Sequence, residues 1–108
     1  MSKKRIEKEI QDIKNLLIKK YRPEKIILFG STARGNYQEN SDIDLLIIKN
    51  SKKKRAFRIK EIFKALRGLK RALPLDPIVY TPQEVKDRLS LGDFFIKNIL
   101  KEGRILYE

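Results

Sequence analysis

Cysteine and histidine are both absent from this chain of 108 residues. The first absence excludes disulfides and thiolate metal sites. The second removes the commonest general base at neutral pH and the commonest zinc ligand. Any metal site built from these side chains must use oxygen ligands, which favours hard ions such as Mg²⁺ or Mn²⁺. No apolar run reaches the roughly 18 residues of a membrane-spanning helix. The basic start, Met1-Ser2-Lys3-Lys4-Arg5, is followed by more charge where a secretory signal needs an apolar stretch, so a cytoplasmic location is expected.

Hydrophobic residues make up 41% of the chain, enough for a compact core. The length fits one small domain over residues 1–108. Lys and Arg number 26 against 14 Asp and Glu, a net charge of +12. A basic surface of this kind can attract nucleic acid, a nucleotide or an acidic protein. It also matches the charged surfaces of heat-adapted proteins, and charge alone does not choose.

Residues 3–21 read as an amphipathic helix. Ile6, Ile10, Ile13, Leu17 and Tyr21 form one apolar stripe, Ser2 is the expected N-cap, and Pro23 lies just beyond the end. Lys25 to Phe29 reads as a buried strand. Residues 30–41 read as a polar loop with one helical turn near Ser31–Arg34. Asp42 to Ile48 reads as a second strand, with Ile43, Leu45 and Ile47 on one face and Asp42, Asp44, Leu46 and Ile48 on the other. The pattern then predicts a long helix over 52–73, with Ile59, Ile62, Phe63, Leu66, Leu69 and Leu73 inward and Lys60, Lys64, Arg67 and Arg71 outward. Leu75 to Tyr80 reads as a third strand. Pro77 cannot donate to a ladder, so this strand lies at an edge or starts near Ile78. Thr81-Pro82-Gln83-Glu84 is a capping box opening a helix to about Ser90. Asp93 caps another over Phe94 to Lys101, closed by Gly103, and Arg104 to Tyr107 reads as a final edge strand. The expected fold is α/β (α+β), a small mixed sheet flanked by helices.

One constellation carries chemistry. Gly30-Ser31 closes the first strand, and ten residues separate it from Asp42 and Asp44. At positions i and i+2 of a strand, two aspartates share a face with Cα atoms roughly 6.5–7 Å apart. Their mutual repulsion, about 1–4 kcal/mol at 4 Å, reverses in sign when a cation sits between them. Gly30 lets the backbone approach a phosphate closely. The Ser31 hydroxyl and nearby N–H groups can donate to phosphate oxygens, and Arg34 can grip phosphate through two N–H groups. Asp76 opens the third strand. If that strand lies beside the second, Asp76 reaches the same face. Three carboxylates can then hold two metal ions or accept the proton of an attacking hydroxyl. Singly, each element has a plainer reading: Gly-Ser after a strand is usually a turn, and Asp76 before Pro77 is more often a turn than a ligand. Asp44 is harder to explain so, because Asp is disfavoured within strands and costly to bury.

Gly30-Ser31, then Asp42-x-Asp44 resembles the signature of the polymerase β nucleotidyltransferase superfamily. The fuller run, Gly30-Ser31-Thr32-Ala33-Arg34-Gly35 through Ser41-Asp42-Ile43-Asp44-Leu45-Leu46, is similar to its minimal branch, the small proteins often paired with a HEPN partner. The likeness extends to the Glu102–Tyr107 segment. It implies a polymerase β-type palm, a triphosphate held by Gly30 and Ser31, and metals bound by Asp42 and Asp44. Asp76 matches the third carboxylate by its place after the long helix. Many relatives carry a second Arg where this chain has Gln38. The expected activity is Mg²⁺-dependent transfer of a nucleoside monophosphate, AMP from ATP, to an acceptor hydroxyl. Two Mg²⁺ ions are expected, with Mn²⁺ as the alternative. Larger members of the superfamily carry an acceptor-binding helical domain that is not expected here, so the acceptor is expected to come from a partner or a second copy, in a hetero-oligomer or homodimer. The resemblance implies a HEPN-domain toxin whose tyrosine is adenylylated by its antitoxin. Two alternatives stay open. One is a module that neutralises such a partner by masking it. The other is a basic nucleic-acid-binding domain, for which no RNA module and no clustered aromatic platform is evident, since Tyr37, Tyr80 and Tyr107 stand apart. Lys52-Lys53-Lys54-Arg55 at a helix start is unfavourable for the helix dipole by roughly 0.3–1 kcal/mol each. That hints at an anionic partner, although a solvated charged face accounts for it too.

Overall fold

The computed structural model describes residues 2–36 and 42–108. Tyr37, Gln38, Asn40 and Ser41, which figure in the loop and the motif, lie outside the described residues. The elements run α1 (Lys3–Lys20), β1 (Lys25–Phe29), α2 (Gly30–Ala33), β2 (Ile43–Ile48), α3 (Arg55–Ala65), β3 (Leu75–Tyr80), α4 (Pro82–Ser90), α5 (Phe94–Glu102) and β4 (Arg104–Tyr107). The strands form one sheet in the order β3-β2-β1-β4. β1 pairs antiparallel with β2 and β4, and β2 pairs parallel with β3, so the sheet is mixed as expected.

The two faces of the sheet bury different helices. Ile43, Leu45 and Ile47 of β2 join Ile6, Ile10, Ile13 and Leu17 of α1 and Ile62 of α3 in one core. Leu46 and Ile48 point the other way, against Val85 of α4 and Ile96 and Ile99 of α5. β2 is thus covered on both sides, which explains its near-continuous apolar run. Asp44 breaks that run.

The helix ends follow local chemistry. The Ser2 hydroxyl accepts from the Arg5 N–H at 3.2 Å. Thr81 and Glu84 form the full capping box, and Asp93 accepts from the Ile96 N–H at 3.1 Å. Both expected edge strands are at edges, and Pro77 sits on β3, where its missing N–H faces away from the ladder.

The helix expected over 52–73 is shorter at both ends. The Lys53 N–H turns back to the Ser51 hydroxyl at 3.1 Å, a local bond that competes with helix formation. Lys52, Lys53 and Lys54 therefore precede α3. At the other end Gly68 takes φ 91° and breaks the helical path. The buried Glu9 carboxylate of α1 then accepts from the N–H groups of Ala72 and Leu73 at 2.6 and 3.0 Å. Those donors leave the helix and pin the approach to β3. Phe63, expected inward, is instead partly exposed, and Arg58 is buried in the layer between α3 and α4. Arg58 is held by Glu84 at 2.6 Å and by the carbonyls of Lys53 and Val79 at 2.7 and 3.2 Å.

Candidate active site

The site grows from the end of β1. Phe29, the last residue of that strand, stands opposite Asp44 in the antiparallel register. The chain then turns sharply into α2 through Gly30, whose φ of 78° is a left-handed conformation that favours glycine. A second constraint applies at the same residue, since a Cβ on Gly30 would overlap the Asp44 Oδ2 atom. The glycine therefore makes the turn and leaves the cradle in which the Asp44 carboxylate lies. The helical turn expected at Ser31–Arg34 is present one residue earlier, over Gly30–Ala33.

The carboxylates are assembled by strand register. Asp44 and Asp76 are direct partners across the parallel β2–β3 pair, and adjacent strands lie about 4.8 Å apart. They therefore share a face, the one covered further along by α4 and α5. The Ile43 N–H donates to the Pro74 carbonyl at 2.8 Å and holds this register at the mouth of the two strands. Asp42 is exposed and stands just before β2, which begins at Ile43 rather than at Asp42. Burial pushes the Asp44 carboxyl up to about 6, with the negative charges of Asp76 and then Asp42 adding to the rise. All three aspartates are thus within electrostatic reach of one another beside the Gly30 turn.

Ser31 is half-buried on α2 and its carbonyl accepts from the N–H groups of Arg34 and Asn36 at 3.2 and 2.9 Å. Arg34 is exposed at the C-terminal end of this turn. It lines a cavity of about 290 Å³ together with Phe29, Gly30, Phe95, Asn98 and Glu102. Asp44 is not among the walls of that cavity, so Gly30 divides two regions: carboxylates toward β2 and β3, and the cavity with Arg34 toward α5. Phe29 and Phe95 meet edge to face across its floor, with centroids 5.7 Å apart.

Phe95, Asn98 and Glu102 were not singled out by sequence reasoning. They occupy positions i, i+3 and i+7 of α5, one face of a helix. The available signal was Phe94-Phe95, two aromatics that a single apolar stripe cannot both bury.

The acidic residues suit a hard cation. Every donor is a carboxylate oxygen, the Gly30 cradle admits the Asp44 carboxylate, and the half-buried Asp44 feels the like charges of the exposed Asp76 and Asp42. Among the described residues no group of three ligating side chains is already drawn together around one point. An open seat of one or two carboxylates is what Mg²⁺ uses when phosphate and water complete its shell. Asp44 and Asp76, with Asp42 at the margin, would hold the ion.

Comparison with known proteins shows the family. Residues 4–106 match the family model described as "Nucleotidyltransferase domain". The chain is 40% identical over 103 residues to a "Putative protein adenylyltransferase" of Methanocaldococcus jannaschii, covering 94% of this chain and 97% of that protein. A second protein of the same description from that organism is 39% identical over 71 residues, 65% of this chain and 70% of its own length. A crystal structure described as a "putative nucleotidyltransferase", from Sulfolobus solfataricus, superposes with a TM-score of 0.58 at 25% identity, covering 95% of this chain and 86% of that one. With its mixed sheet, its Gly30-Ser31 turn and its aspartates on neighbouring strands, the chain belongs to the nucleotidyltransferase domain family.

Proposed function

We propose that the protein transfers AMP from ATP to a hydroxyl group of a partner protein. The observation that carries this reading is the register of Asp44 with Asp76 beside the Gly30 cradle. The acceptor oxygen attacks the α-phosphorus of ATP, the bond from that phosphorus to the bridging oxygen breaks, and pyrophosphate leaves. Asp76, exposed at the start of β3, takes the proton released by the hydroxyl. Asp44, with Asp76 beside it and Asp42 at the margin, would provide the oxygen ligands for divalent cations, and Gly30 and Ser31 would present backbone and hydroxyl donors to the phosphates. Arg34 adds a fixed positive charge next to them. Bound Mg²⁺ or Mn²⁺ supplies charge neutralisation of the triphosphate and alignment of the attacking and leaving oxygens.

The protein acceptor is supported by the description of the relative that is 40% identical. The motif runs Gly30–Gly35 and Ser41–Leu46 further support a HEPN-domain toxin as the partner, with a tyrosine as acceptor and the present chain as antitoxin. The test is labelling from α-³²P-ATP with Mg²⁺ in a mixture of the chain and a HEPN protein. Label is expected on the HEPN protein and is lost with Asp42→Asn and with Asp44→Asn. Label that survives both substitutions removes these aspartates from the reaction. Neutralisation of the toxin at full strength by the Asp44→Asn protein would favour masking instead.

A further inference from the structure

The positive charge of this molecule is concentrated in one stretch of chain. Between Lys49 and Arg71 stand eleven Lys and Arg residues and the single acid Glu61, so this stretch holds ten of the twelve net charges. Lys52, Lys54, Lys60, Lys64, Arg67 and Lys70 are exposed there, along α3 and at its ends. Among the described residues, the ion pairs of this stretch are Lys53–Glu61 at 3.1 Å and Arg58–Glu84 at 2.6 Å. A heat-adapted surface interleaves both signs to form networks, and this one does not. The arrangement also opposes the helix: Lys60 and Lys64 repel at i and i+4, and Lys54 and Arg55 stand at its positive end.

Two phenyl rings open onto the same surface. Phe57 is 56% exposed and Phe63 39% exposed. The Lys60 ammonium lies 5.5 Å from the Phe57 ring centroid, and the Arg71 guanidinium 5.7 Å from that of Phe63. Exposed rings interleaved with cations are what unpaired bases and their phosphates require, stacking for the base and charge for the backbone. A duplex would leave its base faces inside. A protein interface would be expected to be poor in lysine, whereas lysine dominates here.

We propose that the outer surface of α3 binds single-stranded nucleic acid, with Lys60, Lys64 and Arg67 on phosphates and Phe57 and Phe63 under bases. The surface is separate from the aspartates. α3 packs through Ile62 onto the core shared by Ile43, Leu45 and Ile47, and Asp44 faces the opposite side of the sheet. The proposal therefore stands or falls independently of AMP transfer.

The test uses the full chain and three probes: a dye-labelled uridine oligoribonucleotide, heparin and a labelled poly-glutamate peptide, each followed by anisotropy or competition. Oligonucleotide affinity is expected to fall more than tenfold between about 50 and 200 mM salt. The Phe57→Leu/Phe63→Leu variant keeps the apolar volume and removes both rings. It is expected to lose about tenfold toward the oligonucleotide while heparin binding is unchanged. Lys60→Gln/Lys64→Gln is expected to weaken both, with thermal unfolding confirming that each variant folds. Wild-type oligonucleotide affinity in the phenylalanine variant would overturn the proposal, as would poly-glutamate binding as tight as RNA. The latter result would identify an acidic protein as the partner.

Discussion

Two charged groups removed from bulk water show opposite solutions to the same problem. Arg58, 6% exposed, is met by the Glu84 carboxylate and by two backbone carbonyls. Burial alone would push Glu84 up, but its bonds from Arg58 and the Thr81 N–H and the charges of Arg58 and Arg55 outweigh burial and hold it below the usual carboxylate range. Asp44, half-buried on the other side of β2, is surrounded by charges of its own sign and is pushed up to about 6. The first arrangement satisfies a charge within the fold and joins α3 to α4. Among the described residues no ion pair meets the second charge, which an external cation would satisfy, as expected where structure is given up for chemistry.

Three substitutions would break or sharpen this contrast, the largest effect first. Arg58→Ala removes the partner of Glu84 and leaves the Val79 and Lys53 carbonyls without their donor. A loss of about 3 kcal/mol in unfolding free energy is expected, read by urea denaturation at pH 7. A loss below about 0.5 kcal/mol would mean that this ion pair is no more than a surface pair.

Gly30→Ala forces a side chain into a left-handed backbone and into the Asp44 carboxylate. About 2 kcal/mol of stability is expected to be lost, together with AMP labelling. An active variant of wild-type stability would show that the turn relaxes without the cradle.

Asp44→Asn is expected to do the reverse for stability. The folded carboxyl titrates near 6, above the ordinary value near 4. Between those values the folded chain binds the extra proton, so stability falls as pH rises through that window. Above about pH 6 the penalty is fully present, and the amide removes it. After allowance for solvent screening, Asp44→Asn should stabilise the metal-free protein by on the order of 1 kcal/mol at pH 8 and leave it unchanged near pH 4. Adding Mg²⁺ or Mn²⁺ should raise the melting temperature of the wild type more at pH 8 than at pH 5, where Asp44 is protonated, and should not do so in the variant. Equal shifts at both pH values would show that the ion binds elsewhere.

Much of this was visible in residue order. The stripe Ile6, Ile10, Ile13, Leu17, the capping box Thr81–Glu84 and the apolar run of β2 each depend on neighbours within a turn of helix or a few steps of strand. Asp44 was conspicuous because it interrupted an apolar strand, and the Gly30-Ser31 spacing marked the turn before it. The boundaries of α3 were not visible. Leu66, Leu69 and Leu73 continue a helical period, yet the helix ends at Ala65: Gly68 turns left-handed, and Glu9, far away in sequence, then captures the backbone of Ala72 and Leu73. Arg58 reads as one more surface cation until Glu84 is placed beside it. The cavity beside Gly30 combines residues of β1, α2 and α5 and carries no local signature.

By itself, then, the order of residues determined the periods, the caps, the sharp bend at Gly30 and the place of Asp44 within the second strand. These follow from steric and hydrogen-bonding preferences that act over a few residues. Tertiary structure alone decided that Asp76 stands level with Asp44, that Glu9 closes α3 and that Phe29 and Phe95 floor a cavity. Those outcomes depend on how distant segments pack, and a parallel register reached through a helical crossover is set by the whole core rather than by any stretch of it.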